Sequence, residues 1–251
     1  MNKRNTIISV ILLALFLLLA GFTNINILKD FASFDRVFIP PLALTNQDKL
    51  KPSQKAMHLL NKNWTSFKTK YYDANPQDPK WKGDFDKIEQ QISEATKIVE
   101  SGENLLHAHE ALEEIRSVTL DLRRRNNIEY YIDSLTEFHF LMEAIYHTGA
   151  DNEPSDLDEG VIAELNDLTD EASALWRKIE AQSFDKALFG FNEKKITKMM
   201  GLIKAEAEAL TKFKKAVNSR DKTAIIDMAK GVKPNYAKMY MMFGDFDSIS
   251  E

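Results

Sequence analysis

The sequence contains no cysteine, and this single absence removes several classes of site. Without thiols the chain forms no disulfide, offers no thiolate ligand or thiol nucleophile, and has no residue for covalent haem attachment or lipoprotein acylation. Glycine-rich phosphate loops and the nucleophile-elbow motif of serine hydrolases are also missing from the sequence. Any metal site must therefore be built from histidine and carboxylate ligands, and no catalytic motif predicts an enzyme.

Glycine and proline are scarce, at 9 and 7 of 251 residues, whereas 44% of the residues are apolar. This composition supplies enough apolar surface for a buried core and favours helices over a turn-rich β architecture. A basic excess is lacking too, because 33 lysines and arginines stand against 38 aspartates and glutamates. We therefore expect no binding to nucleic acid.

Only one long apolar run is present, and it lies at the N-terminus. Residues 7–20 (IISVILLALFLLLA) carry no charge and follow Lys3 and Arg4. Their length falls between that of a secretory signal core, roughly 7 to 15 residues, and that of a spanning helix, about 20. Residues 1–23 are thus predicted to be either a cleaved signal peptide or a retained membrane anchor. Both place the body outside the cytoplasm, in the periplasm or at the cell surface.

Residues 24–51 are predicted to form an apolar arm. Its apolar residues follow a partly helical spacing: Ile27, Leu28, Phe31, Phe34 and Phe38. Pro40 and Pro41 are expected to stop any helix here. The arm could lie on the membrane surface or pack on the body, and its lack of basic bias favours the body.

From Pro52 onward, apolar residues recur at spacings of three and four and form six stripes typical of amphipathic helices. The stripes change phase at Ser101-Gly102, which predicts a break in the helix. The acidic segment 149–160 is typical of a linker, here between a first helical half (52–148) and a second (161–251). No strand pattern is found, so the predicted fold is an all-α, up-and-down helical bundle.

The two halves raise the alternative of two tandem helical-hairpin repeats. Trp64 precedes the helix start at Ser101-Gly102 in the first half, and Trp176 precedes Ser219 similarly in the second. In fold class alone, the predicted bundle resembles the exported four-helix bundles of the cytochrome c-prime family. The Cys-x-x-Cys-His motif of that family is absent, so the resemblance implies no haem function.

Four of the five histidines fall in two adjacent predicted helices, each near a carboxylate, in the segments HAHEALEE and HFLMEAIYH. Imidazole and carboxylate groups on facing helices are how helical bundles build metal sites, and this ligand set suits Zn, Fe, Mn or Cu(II). The spacing does not match the paired Glu-x-x-His motifs of ferritin-type di-iron proteins. We therefore predict a divalent-metal site without redox chemistry.

The predicted ligands are His107, His109, Glu110, His139 and Glu143. If the two helices form an antiparallel hairpin, residues whose numbers sum to about 250 lie level. That register places His107 opposite Glu143 and Glu110 opposite His139. A helical wheel puts His139 nearest the apolar stripe and allows only one of His107 and His109 to face the neighbouring helix.

The sequence therefore predicts a membrane-associated, extracytoplasmic binding protein that holds a transition metal or a small ligand between two helices bearing histidine and glutamate. In the alternative interpretation, these residues are solvated boundary positions with ordinary i, i+4 contacts. The protein would then be a non-catalytic interaction or assembly subunit that presents helical surfaces to a protein partner.

Overall fold

A computed structural model describes residues 27–249, which form helices joined by turns and loops and contain no strand. The predicted all-α fold is confirmed. The helices are α1 (27–46), α2 (Leu50–Tyr71), α3 (Trp81–Ser101), α4 (Leu105–Arg125), α5 (Tyr131–Ile145), α6 (Glu159–Ala181), α7 (Lys186–Phe189), α8 (Glu193–Ser219), α9 (Lys222–Lys230) and α10 (Lys233–Met241). A π-helical turn, Tyr146–Ala150, follows α5, and a short 3-10 turn, Asp247–Ile249, ends the described chain. The leader predicted over residues 1–23 lies outside the described residues.

The helices enclose one main hydrophobic core. Its buried residues come from both sides of the predicted linker at 149–160, and both Trp64 and Trp176 belong to it. Successive long helices pack on each other, with α3 against α4 and α5 against α6. Within residues 27–249, no helix combines the length and apolar character that crossing a membrane requires.

The predicted stripes correspond to the buried faces of the helices, as α3 illustrates. Its stripe residues are all buried: Phe85, Ile88, Ile92, Ala95 and Val99. The predicted break is also confirmed, because α3 ends at Ser101 and Gly102 follows in the left-handed conformation with φ of 70°. Asn104 then caps the N-terminus of α4 by accepting a hydrogen bond from the Leu106 N–H.

The predicted helix stop at Pro40 and Pro41 is wrong, because α1 continues through both prolines to residue 46. Proline at position 40 has no N–H to donate to the carbonyl of Arg36. The backbone N–H of Asp245 donates to that carbonyl instead, at 2.8 Å. A contact from a distant segment thus replaces the lost helical bond. Buried aromatic side chains place α1 in the core rather than on the surface.

A buried charge network joins α1 to the corner between α4 and α5. Arg123 donates from Nε to Asp133 Oδ1 at 2.8 Å, and its guanidinium lies over the rings of Phe31 and Tyr130. Tyr130 donates to Asp35 Oδ2 on α1 at 2.6 Å. This network fixes the angle at which α5 leaves α4, and so the position of the α5 face considered below.

Gly149 permits a close approach of the π-helical turn to α9. A Cβ atom added there would lie 2.8 Å from Ala229 Cβ, closer than packed carbon atoms allow. Gly149→Ala should therefore lower the free energy of unfolding by about 1–3 kcal/mol in urea denaturation. Gly201→Ala is the matched control, since a Cβ there meets no atom within 4 Å. It should stabilise α8 by about 0.5–1 kcal/mol; equal effects of the two substitutions would contradict the packing explanation.

Candidate functional site

A cavity of about 130 Å³ lies where α1, α4, α5 and α10 meet. We call it the ligand cavity. Its apolar wall consists of Ile39, Leu42, Ala43, Met142, Ala237 and Met241. Its charged, imidazole and phenolic side chains are His109, Glu113, Arg116, His139, Glu143, Lys233, Tyr236 and Tyr240. A mixed lining of this kind is typical of sites for small molecules.

Helical spacing explains why these polar side chains share one cavity. Positions three, four or seven apart lie on the same helix face. On α4, Glu113 lies four residues after His109, and Arg116 lies seven residues after His109. On α5, Glu143 follows His139 by four, and α10 supplies its side chains at the same spacings. One face each of α4, α5 and α10 therefore contributes polar side chains to the same cavity.

Histidines and glutamates alternate along the polar side of the cavity. His109 Nε2 lies 3.6 Å from Glu113 Oε1, and His139 Nδ1 lies 3.9 Å from Glu113 Oε2. His139 Nε2 lies 3.4 Å from Glu143 Oε1. Outside the cavity, the exposed His147 extends this row, with Nε2 3.4 Å from Glu143 Oε2. These distances are long for hydrogen bonds, so the groups are neighbours without locking each other in place.

Two cations offset the two carboxylates. Lys233 Nζ lies 2.8 Å from Glu143 Oε1, and Arg116 Nη1 lies 3.1 Å from Glu113 Oε2. Burial opposes ionisation of Glu143, but the contacts with His139 and Lys233 outweigh it and lower its pKa to about 2. Burial, with a further contribution from the charge of Arg116, lowers the pKa of His139. The His139 ring is therefore neutral at pH 7, beside an ionised Glu143.

Several buried polar atoms of the cavity lack a hydrogen-bond partner. Arg116 is 4% exposed and stacks on the Tyr240 ring at 4.5 Å, yet its Nε atom has no hydrogen-bond partner, and Nη1 has only the unaligned contact with Glu113. An aligned partner is also absent for Tyr236 OH, in a residue 3% exposed, and for His139 Nδ1. Of nine atoms without an aligned hydrogen-bond partner within residues 27–249, these four belong to residues that line the ligand cavity.

The structure brings together three of the five predicted site residues. His109, His139 and Glu143 line the ligand cavity. His107 and Glu110 instead lie on the other side of α4, in a shallow depression facing α3. The predicted pairs of His107 with Glu143 and of Glu110 with His139 are therefore not formed. The hairpin register is nearly as predicted, but Glu113 rather than Glu110 is the residue that faces His139.

Sequence reasoning missed Glu113, Arg116, Lys233 and Tyr236. The first two carry a local signal, because they share the helix face of His109. This shared face identifies them as candidate site residues only once the face is known to point into the protein. The last two belong to α10, whose contact with α5 and α8 depends on the tertiary fold. No pattern within α10 itself indicates that contact.

The ligand cavity does not contain a recognisable metal-ligand set. Across residues 27–249, no three or more histidine, aspartate or glutamate side chains are grouped as a metal ion requires. The histidines and glutamates of the cavity form a row rather than a shell around one point. Arg116 and Lys233 also place positive charge beside this row.

Comparison with known proteins gives no family assignment. No protein-family model, no curated protein and no solved structure matches the chain. What the protein does must therefore be inferred from the chemistry of the ligand cavity.

Proposed function

We propose that this protein is a binding protein that holds a small organic ligand in the ligand cavity. This proposal is carried by four buried polar atoms without an aligned hydrogen-bond partner, on residues of α4, α5 and α10 that line one cavity. The large majority of buried side-chain polar atoms in proteins have hydrogen-bond partners. A cluster of exceptions around one cavity is typical of a site whose partners belong to a ligand.

An organic ligand fits this cavity better than the divalent metal that the sequence also predicts. Glu143 is in contact with Lys233, and Glu113 lies beside Arg116. A metal ion would have to displace both cations and approach their charge at close range. A polar organic molecule can use the same groups without displacing them. The extracytoplasmic location and the membrane association remain predictions from the leader.

The test uses isobutyramide, a neutral polar molecule small enough for the cavity. Saturation-transfer NMR with millimolar isobutyramide should show binding to the full chain. Ala237→Phe should weaken this binding at least about tenfold, because the phenyl ring fills the space that the probe occupies. Ala163→Phe places the same ring on an exposed position of α6 and should leave binding unchanged. Indistinguishable binding by the two variants would show that the probe does not occupy the ligand cavity.

Two other outcomes favour the alternative functions. Calorimetric binding of Zn²⁺ that weakens in His139→Ala and as pH falls through about 6, without isobutyramide binding, would favour the metal site. Absence of both kinds of binding would contradict the proposal. The non-catalytic interaction or assembly subunit would then be the better interpretation.

A further inference from the structure

The ligand cavity presents charges of both signs in equal number. Arg116 and Lys233 are cationic, whereas Glu113 and Glu143 are anionic. A ligand of net charge would leave an uncompensated charge in this half-buried space, whose cost rises as the effective dielectric constant falls. A neutral ligand that itself carries both signs avoids that cost.

The donors of the cavity are suited to a carboxylate. Arg116 has an unpartnered N–H group at Nε, which can donate a charge-assisted hydrogen bond to a carboxylate oxygen. Tyr236 OH, on the same cavity, provides a second donor. Both residues are more than nine-tenths buried, and stacking on Tyr240 restricts the guanidinium. Little conformational entropy remains to be lost when a ligand binds.

Glu113 is suited to an ammonium group. Its carboxylate oxygens lie 3.1 Å from Arg116 Nη1, 3.6 Å from His109 and 3.9 Å from His139. The Arg116 contact is not aligned as a hydrogen bond. Glu143, by contrast, is in contact with Lys233 at 2.8 Å. The Glu113 side chain is partly exposed, so a ligand cation can reach it.

The cavity also has an apolar wall, and it is small. Leu42 and Met142 contribute to this wall, next to the polar groups. A volume of about 130 Å³ is close to that of protein cavities that hold one benzene ring. This space accommodates a short aliphatic side chain but not a peptide or a lipid.

Resting on the proposed function, we infer that the ligand cavity binds a zwitterionic α-amino acid with a small aliphatic side chain. Arg116 and Tyr236 bind its carboxylate, and Glu113 binds its ammonium group. The aliphatic side chain lies against Leu42 and Met142. Binding forms no covalent bond and transfers no proton.

Three matched ligands test this inference on the full chain by isothermal titration. Valine carries both charged groups, isovalerate lacks the ammonium, and valinamide lacks the carboxylate. Valine should bind at least about tenfold more tightly than either analogue, because each analogue leaves one charged group of the site without its partner. Equal binding of valine and isovalerate, or of valine and valinamide, would overturn the inference.

Two variants test which side chain binds the ammonium group of the ligand and which binds its carboxylate. Glu113→Gln should weaken valine about tenfold while leaving isovalerate unchanged or tighter, since only valine brings an ammonium group. Tyr236→Phe should weaken valine and isovalerate alike but not valinamide. Because Tyr236→Phe removes a buried hydroxyl without a partner, its melting temperature should not fall. A drop in valinamide binding equal to that of valine would indicate general damage to the cavity and count against the assigned role.

Failure of this inference can be told apart from failure of the proposed function. If isobutyramide binds the parent and is blocked by Ala237→Phe, while valine binds no better than its analogues, the cavity is a ligand site for another class of molecule. If neither isobutyramide nor valine binds, both proposals are wrong.

Discussion

Arg123→Met should lower the free energy of unfolding by about 3–5 kcal/mol, measured by urea denaturation at pH 7. Arg123 is 2% exposed, and both Nε and Nη2 donate to Asp133 Oδ1, at 2.8 and 2.5 Å. Its charge also offsets that of Asp35, which is buried on α1. Removing the guanidinium leaves two buried carboxylates without their cation, whereas methionine preserves most of the side-chain volume.

Arg124→Met is the matched control at the neighbouring position. Arg124 is mostly exposed and pairs with Glu137 at the surface, so its loss should cost less than about 1 kcal/mol. Adding Asp133→Leu to Arg123→Met should recover part of the lost stability, because the uncompensated charge at that position is removed. Similar losses in the Arg123 and Arg124 variants would mean that the buried network contributes no more than a surface ion pair.

Stability should fall as pH rises from about 5 to 8, and Glu206→Gln should remove most of that fall. Glu206 lies on α8 beside the first turn of α10 and is fully buried, and its two carboxylate oxygens have no aligned hydrogen-bond partner. Burial raises its pKa from 4.5 to about 8, despite the nearby Tyr236 N–H and Asn235 amide. The folded state therefore keeps the proton through a range in which the unfolded chain releases it.

The sign follows from this difference in proton binding. Below pH 4.5 the carboxyl of Glu206 is protonated in both states, so it adds no pH dependence to stability there. Between pH 4.5 and 8 the folded state loses about 1.4 kcal/mol per pH unit, or about 5 kcal/mol in all, relative to a neutral side chain. Urea denaturation midpoints of the parent and of Glu206→Gln should therefore diverge as pH rises from 4.5 to 8, with the variant gaining on the parent.

Glu208→Gln is the matched control for this pH series, because it makes the same chemical change at an exposed position of the same helix. Its denaturation midpoints should follow those of the parent at every pH. Parallel pH profiles for the parent and Glu206→Gln would show that Glu206 is ionised in the folded protein.

The features that the sequence predicted correctly depend on neighbouring residues. The apolar period of α3 and its end at Gly102 are encoded within a few turns of helix, where spacing and conformational preference act directly. The helix stop at Pro40 was wrong for the opposite reason. The donor that satisfies the Arg36 carbonyl is Asp245, which is remote in sequence.

The same distinction holds for the ligand cavity. The clustering of His109 and His139 on adjacent helices was visible in the sequence, and so was the register of those helices. The sequence did not show which face of α4 points into the cavity. A residue near the edge of an apolar stripe can point either way until its neighbours are known. Lys233 and Tyr236 join the cavity only through the packing of α10. A charge-balanced site was therefore not predictable from a search for metal ligands.

The hydrogen bond between Asp245 and the Arg36 carbonyl has a consequence for the order of folding. Ile39, in the same helix, is fully buried, and Gly244 is among the residues packed against it. During synthesis, the residues of α1 emerge long before the segment that covers this part of the helix. Contacts between such distant segments slow folding and leave apolar surface open to aggregation in the meantime. We therefore expect the chain to complete its fold only after the residues beyond α10 have emerged.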